Sequence, residues 1–251
     1  MNIDRQMGIV LKHLEDLGSR AAKTGMSHSA FLTPAEQALA KQHFARYREA
    51  ALVFEGGISN AQRQVAVFLA NDWGKYEAEE ILQGFRIDYR NGEAIGHRDI
   101  LGTMMAQGIE REVLGDILAG ESPAYVICLA SMAAYLQDNI AKIGGAGVSL
   151  TPVKLADIPL REEKLKSKTV TAASLRLDAL VGEGFNLSRS EAARLIQSGL
   201  VALNHLPCEK PDQKLAAGDL LSLRGKGRIK ILEIGGQSKK GRLFVELGIY
   251  Q

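Results

Sequence analysis

The stretch Ser174-Leu-Arg-Leu-Asp-Ala-Leu-Val181 sets Leu177, Leu180 and Val181 at i, i+3 and i+4, the apolar stripe of a short helix. Ser188-Arg189-Ser190-Glu191 follows with the S-x-x-E spacing of a capping box, in which Ser188 and Glu191 satisfy each other's unpaired backbone donors. The helix it announces buries Ala192, Leu195, Ile196 and Leu200 and turns Ser190, Arg194 and Gln197 to water. Gly199 stands where a left-handed helix end is wanted. Val201-Ala-Leu-Asn204 then alternates as a strand, and Gly218-Asp219 turns the chain into Leu220-Leu-Ser-Leu223. Arg224-Gly-Lys-Gly-Arg228 puts three cations on a backbone that can approach a polyanion closely. Helix N-termini and planar guanidinium forks both suit phosphate oxygens, so these residue types point to nucleic acid. A solvated helix face beside a basic hairpin would account for Arg189 and Arg194, but not for where the glycines fall.

The ordered set Arg176-Leu-Asp178, Ser188-Arg-Ser190-x-Ala192, Arg194-Leu-Ile196, Gly199, Asn204, Gly218-Asp219 and Arg224-Gly-Lys226 resembles the RNA-binding domain named after ribosomal protein S-four. The resemblance implies that structured RNA is the partner, its phosphates held by the second helix and the adjoining loops. Arg176, Ser188, Arg189, Ser190 and Arg194 are then the expected phosphate contacts. Arg224, Lys226 and Arg228 are expected on the adjoining strand, with Asn204 reaching a base or sugar. Further on, Ile229 to Ile234 and Leu243 to Leu247 read as strands. Lys239, Lys240 and Arg242 cluster in the turn between them, as a basic loop beside the RNA face or as protection of an edge strand.

At 251 residues the chain exceeds one typical domain, so two or three are expected. Its net charge of +2 is uninformative until divided. From Lys168 onward 13 Lys/Arg meet 8 Asp/Glu, a net of +5, which leaves −3 for the rest; the positive field belongs to the C-terminal third. Two cysteines, Cys128 and Cys208, lie far apart and support neither a disulfide framework nor a zinc site. No window approaches the roughly eighteen apolar residues of a membrane span, and the start is not a signal peptide. The expectation is a cytoplasmic protein without cofactor or metal.

Ile3, Met7, Val10, Leu11, Leu14 and Leu17 repeat at three and four, predicting a helix over 3–24, and Thr33-Pro-Ala-Glu36 is a capping box opening another. From Ala51 the period changes. Leu52-Val-Phe54, Val65 to Leu69, Phe85 to Tyr89 and Tyr125 to Leu129 read as strands. Lys75 to Leu82, His97 to Gln107, Glu110 to Leu118 and Ala130 to Ile143 read as helices, and Gly144 to Gly147 turns into Val148-Ser-Leu150. This alternation predicts an α+β or α/β unit with an open sheet, a type that often binds RNA on its sheet face. Pro152, Pro159 and the charged run Arg161 to Lys168 mark a linker or an edge segment.

Gly56-Gly57, Ala61-x-Arg63-x-Val65-Ala-Val-Phe68, His97-Arg-Asp99-x-Leu101-Gly102, Gly108-Ile-x-Arg111, Gly115-Asp-Ile117 and Asn139-x-x-x-Ile143-Gly144 are similar to the bacterial YlmH-like proteins. That resemblance implies an α+β chain: N-terminal helices over 1–50, a central ferredoxin-like or RRM-like domain over 51–155, a linker over 156–171 and an S-four-type αL-motif domain over 172–251. It implies association with large-subunit ribosomal RNA, and with tRNA on the ribosome, in ribosome-associated quality control, assembly or cell division. Arg63, Arg98 and Arg111 are then candidates for a second RNA surface.

His97-Arg-Asp99 resembles a kinase catalytic loop only in part, since position 104 is Met and no glycine-rich phosphate loop precedes it. Walker, H-E-x-x-H and nucleophile-elbow patterns are missing, and five scattered histidines leave little for metal or acid–base work. A non-enzymatic RNA binder is the expectation. The alternatives are an RNA-modifying enzyme anchored by this module, or a scaffold for a division or assembly partner using the amphipathic helices of 3–24 and 34–48.

Overall fold

The computed structural model describes residues 3–70, 76–89, 95–120, 122–160, 163–239 and 241–250, with two compact units, Met1–Arg161 and Glu162–Gln251. Lys240, expected in the basic loop, lies outside the described residues, as does the start of the charged run at Arg161.

Unit 1 begins with α1 (Ile3–Thr24), β1 (Met26–Leu32) and α2 (Pro34–His43), then β2 (Ala50–Glu55) and β3 (Gln64–Ala70). The box at Thr33 forms in full: the Thr33 hydroxyl accepts the Glu36 amide at 3.3 Å, and the Glu36 carboxylate accepts the Thr33 amide at 2.6 Å. The strands make a three-stranded antiparallel sheet in the order β1-β3-β2. Val65, Ala66, Val67 and Phe68 are all fully buried because β3 is central and covered on both faces. Ala66 and Phe68 meet Leu14, Leu17 and Ala21 of α1, whereas Val65 and Val67 face a second sheet.

That second sheet contains β4 (Leu82–Tyr89), β5 (Leu114–Leu118), β6 (Ala124–Leu129), β7 (Lys142–Ile143) and β8 (Ala146–Val153). Its helices are α3 (His97–Ala106), after β4, and α4 (Ala133–Asn139), after β6. The order is β5-β6-β4-β8-β7, with antiparallel neighbours throughout. Apart from the two-residue β7, this is a β-α-β-β-α-β chain in the ferredoxin-like arrangement, its first and third strands central. One face packs Phe85, Ile87, Val126 and Leu114 with Ile100 and Met104 of α3 and Leu136 of α4. On the other face, Leu82, Ile127 and Leu129 pack against Phe31, Val65 and Val67 of the first sheet. A Cβ on Gly115 would come within 2.7 Å of the Phe31 ring, so only glycine allows the sheets to approach this closely there.

Several expectations are corrected. The N-terminal region is not helical to residue 50, because β1 lies within it, and β2 straddles the expected boundary at 50/51. The helix expected over 110–118 is a 3-10 turn at Arg111–Val113 followed by β5. The described part of the helix expected over 75–82 is a 3-10 turn at Ala78–Glu80 leading into β4. The helix expected over 130–143 is shorter, with a 3-10 turn at Ala130–Met132 before α4 and β7 after it. The open sheet face of a small α+β unit is an expected RNA surface; here the face opposite the helices packs on the first sheet.

Unit 2 comprises β9 (Leu165–Ala172), α5 (Leu177–Phe185), α6 (Arg189–Gln197), β10 (Val201–Leu203), β11 (Leu206–Pro207), β12 (Leu220–Leu223), β13 (Gly227–Gln237) and β14 (Leu243–Tyr250). The six strands run in the order β11-β10-β12-β13-β14-β9. Much of the expected linker is therefore strand: β9 pairs along its length with β14, from Leu165 against Tyr250 to Ala172 against Leu243. Leu177, Leu180 and Val181 of α5 and Ala192 and Ile196 of α6 are fully buried against Leu221, Ile231, Val245 and Leu247. Burying the Leu, Val and Ile side chains is worth roughly 1.5–3 kcal/mol each, so this face of the helix pair is the core of the unit.

Candidate nucleic-acid interface

α5 ends at Asn186 in the left-handed conformation, at φ 56°, and the chain turns directly into the N-cap of α6. Ser188 Oγ accepts the Glu191 amide at 3.2 Å, the half of the expected reciprocal box that the structure records. The amides of Arg189 and Ser190 make no hydrogen bond among the described residues, so they add donors and a positive helix end to an exposed surface. The N-terminal amides of α5 are closed differently. Leu177 N–H donates to the Gln213 carbonyl and Asp178 N–H to the Pro211 carbonyl, both at 2.9 Å.

Asp178 is the only charged side chain buried among the described residues of unit 2, at 4 % accessibility. Arg176 donates to it from Nε at 3.2 Å and from Nη2 at 3.0 Å. Arg189, arriving from α6, donates from Nε at 3.1 Å and from Nη2 at 3.5 Å. Burial on its own would raise the Asp178 pKa, but the hydrogen bonds from Arg176 and then Arg189 hold it below its ordinary value. The carboxylate is therefore an anion facing two cations. The arginines remain reachable, with 39 % and 58 % of their side-chain surface exposed.

Arg194 and Ser190 stand one turn apart on the exposed face of α6, a helix about 13 Å long. At its far end, Arg224 N–H donates to the Leu200 carbonyl at 3.1 Å, which sets the β12–β13 hairpin beside the end of α6. Gly225 and Gly227, at φ 80° and 105°, let that hairpin turn with Arg224 and Lys226 exposed. Arg176, Ser188, Arg189, Ser190, Arg194, Arg224 and Lys226 thus lie on α6, at its N-terminal approach and on the hairpin at its C-terminal end.

Other predicted residues lie elsewhere. Arg228 pairs with Ser222, whose neighbours Leu221 and Leu223 face the helices, so Arg228 points from the opposite face of the sheet. Its guanidinium rests 4.6 Å from the centroid of the Tyr250 ring. Lys239 lies in the turn at the other end of β13, an 11-residue strand, roughly 30 Å from the first hairpin. Arg242 of the same loop turns inward, donating to the Thr171 carbonyl and hydroxyl and to the Glu183 carboxylate. Asn204 donates to Asp219 at 2.8 Å and accepts the Leu220 amide at 2.9 Å, so its carboxamide locks a turn at φ 49° rather than lying open to a base.

In unit 1, Arg98 is exposed at the start of α3. Arg63 and Arg111 are directed inward. Arg63 donates to the carbonyls of Phe31 at 2.9 Å and Leu114 at 3.1 Å. Arg111 donates to those of Leu114 at 2.6 Å and Gly115 at 3.2 Å. Burial, followed by repulsion from Arg63, lowers the Arg111 pKa to about 10. Buried Asp116 accepts the amides of Gln62 and Arg63 beside them. Of the residues expected on a second RNA surface, Arg63 ties β1 of the first sheet to β5 of the second, and Arg111 is bonded to the carbonyls of β5.

The structure also adds a cation that the sequence does not single out. Lys214 pairs with Arg176 in an isolated antiparallel bridge, which puts the two side chains on one side. Lys214 is exposed. Its place beside Arg176 depends on a loop about 40 residues away in sequence folding back, a closure that no local pattern announces.

Two family matches fit this geometry. Residues 77–157, the ferredoxin-like sheet, match the family described as "Putative RNA-binding domain in YlmH". Residues 175–221, from the start of α5 into β12, match the S4 domain. A solved structure, Cell division protein ylmH from Streptococcus pneumoniae, is 22% identical with a TM-score of 0.49, over 62% of this chain and 95% of that one. The "Ribosome-associated protein quality control protein P2" of Bacillus subtilis is 31% identical over 218 residues, 86% of this chain and 84% of its own length. This chain belongs to the YlmH-like family of proteins, which carry an RNA-binding-type central domain and a C-terminal S4 domain.

Proposed function

We propose that the protein grips folded ribosomal RNA of the large subunit through unit 2, performs no chemistry on it, and acts in ribosome-associated quality control or assembly. The observation that carries this reading is the set of solvent-reachable cations along α6, from Arg176 and Arg189 at one end to Arg224 and Lys226 at the other. A helix N-terminus with unbonded amides lies among them. The S4-domain match and the name of the Bacillus subtilis relative support ribosomal RNA as the target. Phosphate contacts fix position without reading sequence, so the target is distinguished by shape.

Fluorescence anisotropy with a folded large-subunit rRNA fragment tests the interface. Affinity falls linearly with salt on a log–log scale, and Arg189→Ala with Arg194→Ala removes roughly 1.4–1.8 from that slope, about 0.7–0.9 for each phosphate no longer neutralised. An unchanged affinity and slope would remove α6 from the interface. Crosslinking in cells followed by sequencing enriches large-subunit rRNA on this reading; recovery of tRNA alone overturns it. Mass spectrometry of rRNA from a deletion strain is expected to show the full set of modifications, and a missing one would mark an enzyme.

A further inference from the structure

We propose that Asp178 is the positioning residue of this interface: buried behind Arg176 and Arg189, it fixes two guanidinium forks so that their outer edges engage phosphate together. The inference rests on the RNA-binding reading and adds how the site is held.

The carboxylate is met side-on by both arginines, through Nε and Nη2 in each case. A guanidinium has five N–H donors, and side-on pairing with a carboxylate leaves the Nη1–Nη2 edge free. That edge has the spacing that accepts two phosphate oxygens. The two forks come from different places, Arg176 from the N-cap of α5 and Arg189 from the first turn of α6. Both are long side chains that would otherwise sample many rotamers, and ordering each at the moment of binding would weaken affinity. One carboxylate orders both before RNA arrives. It neutralises only one of the two charges, so the cluster stays cationic. Asp178 is itself held rigidly, since its backbone amide is tied to the Pro211 carbonyl at 2.9 Å and its side chain is enclosed. Lys214, alongside Arg176, extends the same surface.

Positioning and plain charge balance make opposite predictions for Asp178→Asn. Removing an anion from a polyanion-binding face should tighten binding and steepen its salt dependence if only net charge matters. Loss of positioning instead weakens binding to the folded rRNA fragment by roughly tenfold or more and makes the salt slope shallower. Equal or tighter binding by a folded Asp178→Asn protein overturns the proposal. If that variant does not fold, the wild-type full chain decides by NMR. The Arg176 and Arg189 Nε–H groups should exchange more slowly with water than that of exposed Arg194, with and without RNA. Equal exchange rates overturn the proposal. Arg176→Ala and Arg189→Ala in the same binding assay separate the two levels. If they bind as wild type, the RNA face is misassigned and the proposal falls with it. If they weaken binding while Asp178→Asn does not, only the positioning role fails.

Discussion

In unit 1, Asp116 takes the amide protons of Gln62 and Arg63, while the guanidiniums of Arg63 and Arg111 point at the carbonyls of Phe31, Leu114 and Gly115. In unit 2, Asp178 takes its protons from two guanidiniums, those of Arg176 and Arg189. Both clusters hold one buried aspartate and two arginines. The difference lies in where the donors go. Around Asp116 they satisfy backbone acceptors at a junction of two sheets and leave little for a ligand. Around Asp178 they meet a carboxylate, so each fork keeps an outer edge at the surface. On the proposed reading, the cluster that binds is the one whose arginines are not needed by the backbone.

Substitution at the first cluster is expected to have the largest effect. Asp116→Ala leaves two backbone amides without their acceptor and removes one of the anions near two half-buried guanidiniums, and should destabilise unit 1 by about 3 kcal/mol. Urea unfolding followed in the full chain checks this, and a destabilisation below about 1 kcal/mol would undo the contrast between the two clusters. Lys214→Ala is the milder change at the other cluster. It should lower the rRNA salt slope by roughly 0.7–0.9, one phosphate, while leaving stability within about 0.5 kcal/mol. An unchanged slope would leave Lys214 outside the site. Acid gives the smallest effect. The folded Asp178 pKa lies below its ordinary 3.8, so its stabilisation is complete above that value and disappears as pH falls through the lower folded value. The melting-temperature gap between wild type and Asp178→Asn should therefore close below about pH 3.8; a gap independent of pH would mean that the carboxylate charge is not what stabilises the pair.

The helices of unit 2 are legible in the sequence because their signals are local. The stripe of Leu177, Leu180 and Val181, the cap at Ser188 and the positive φ of Gly199 all act within one or two turns. β5 imitates a helix for an equally physical reason. A bulge between Leu114 and Ile117 lets residues three apart share the inner face, and that is helical spacing. β1 is hard to read because its buried positions include Ser27 and Ser29, whose hydroxyls are paired with the Leu17 carbonyl and the Ala66 amide, so burial does not show as hydrophobicity. The pairing of Arg176 with Asp178 is also hidden, since residues two apart on a helix do not face each other. It forms because Arg176 is the extended N-cap, outside the helix proper.

The amino-acid sequence alone determined the two-helix module, its caps, its outward α6 cations and the excess of positive charge near the end of the chain. Those follow from periodicity and local turn chemistry. Only the tertiary structure decided which arginines face solvent, because a guanidinium's direction depends on where the folded chain places its acceptors, near or far in sequence. Arg63 and Arg111 are drawn inward by carbonyls of neighbouring strands, Arg228 is turned to the far face by strand register, and Arg176 and Arg189 are held at the surface by a single enclosed carboxylate.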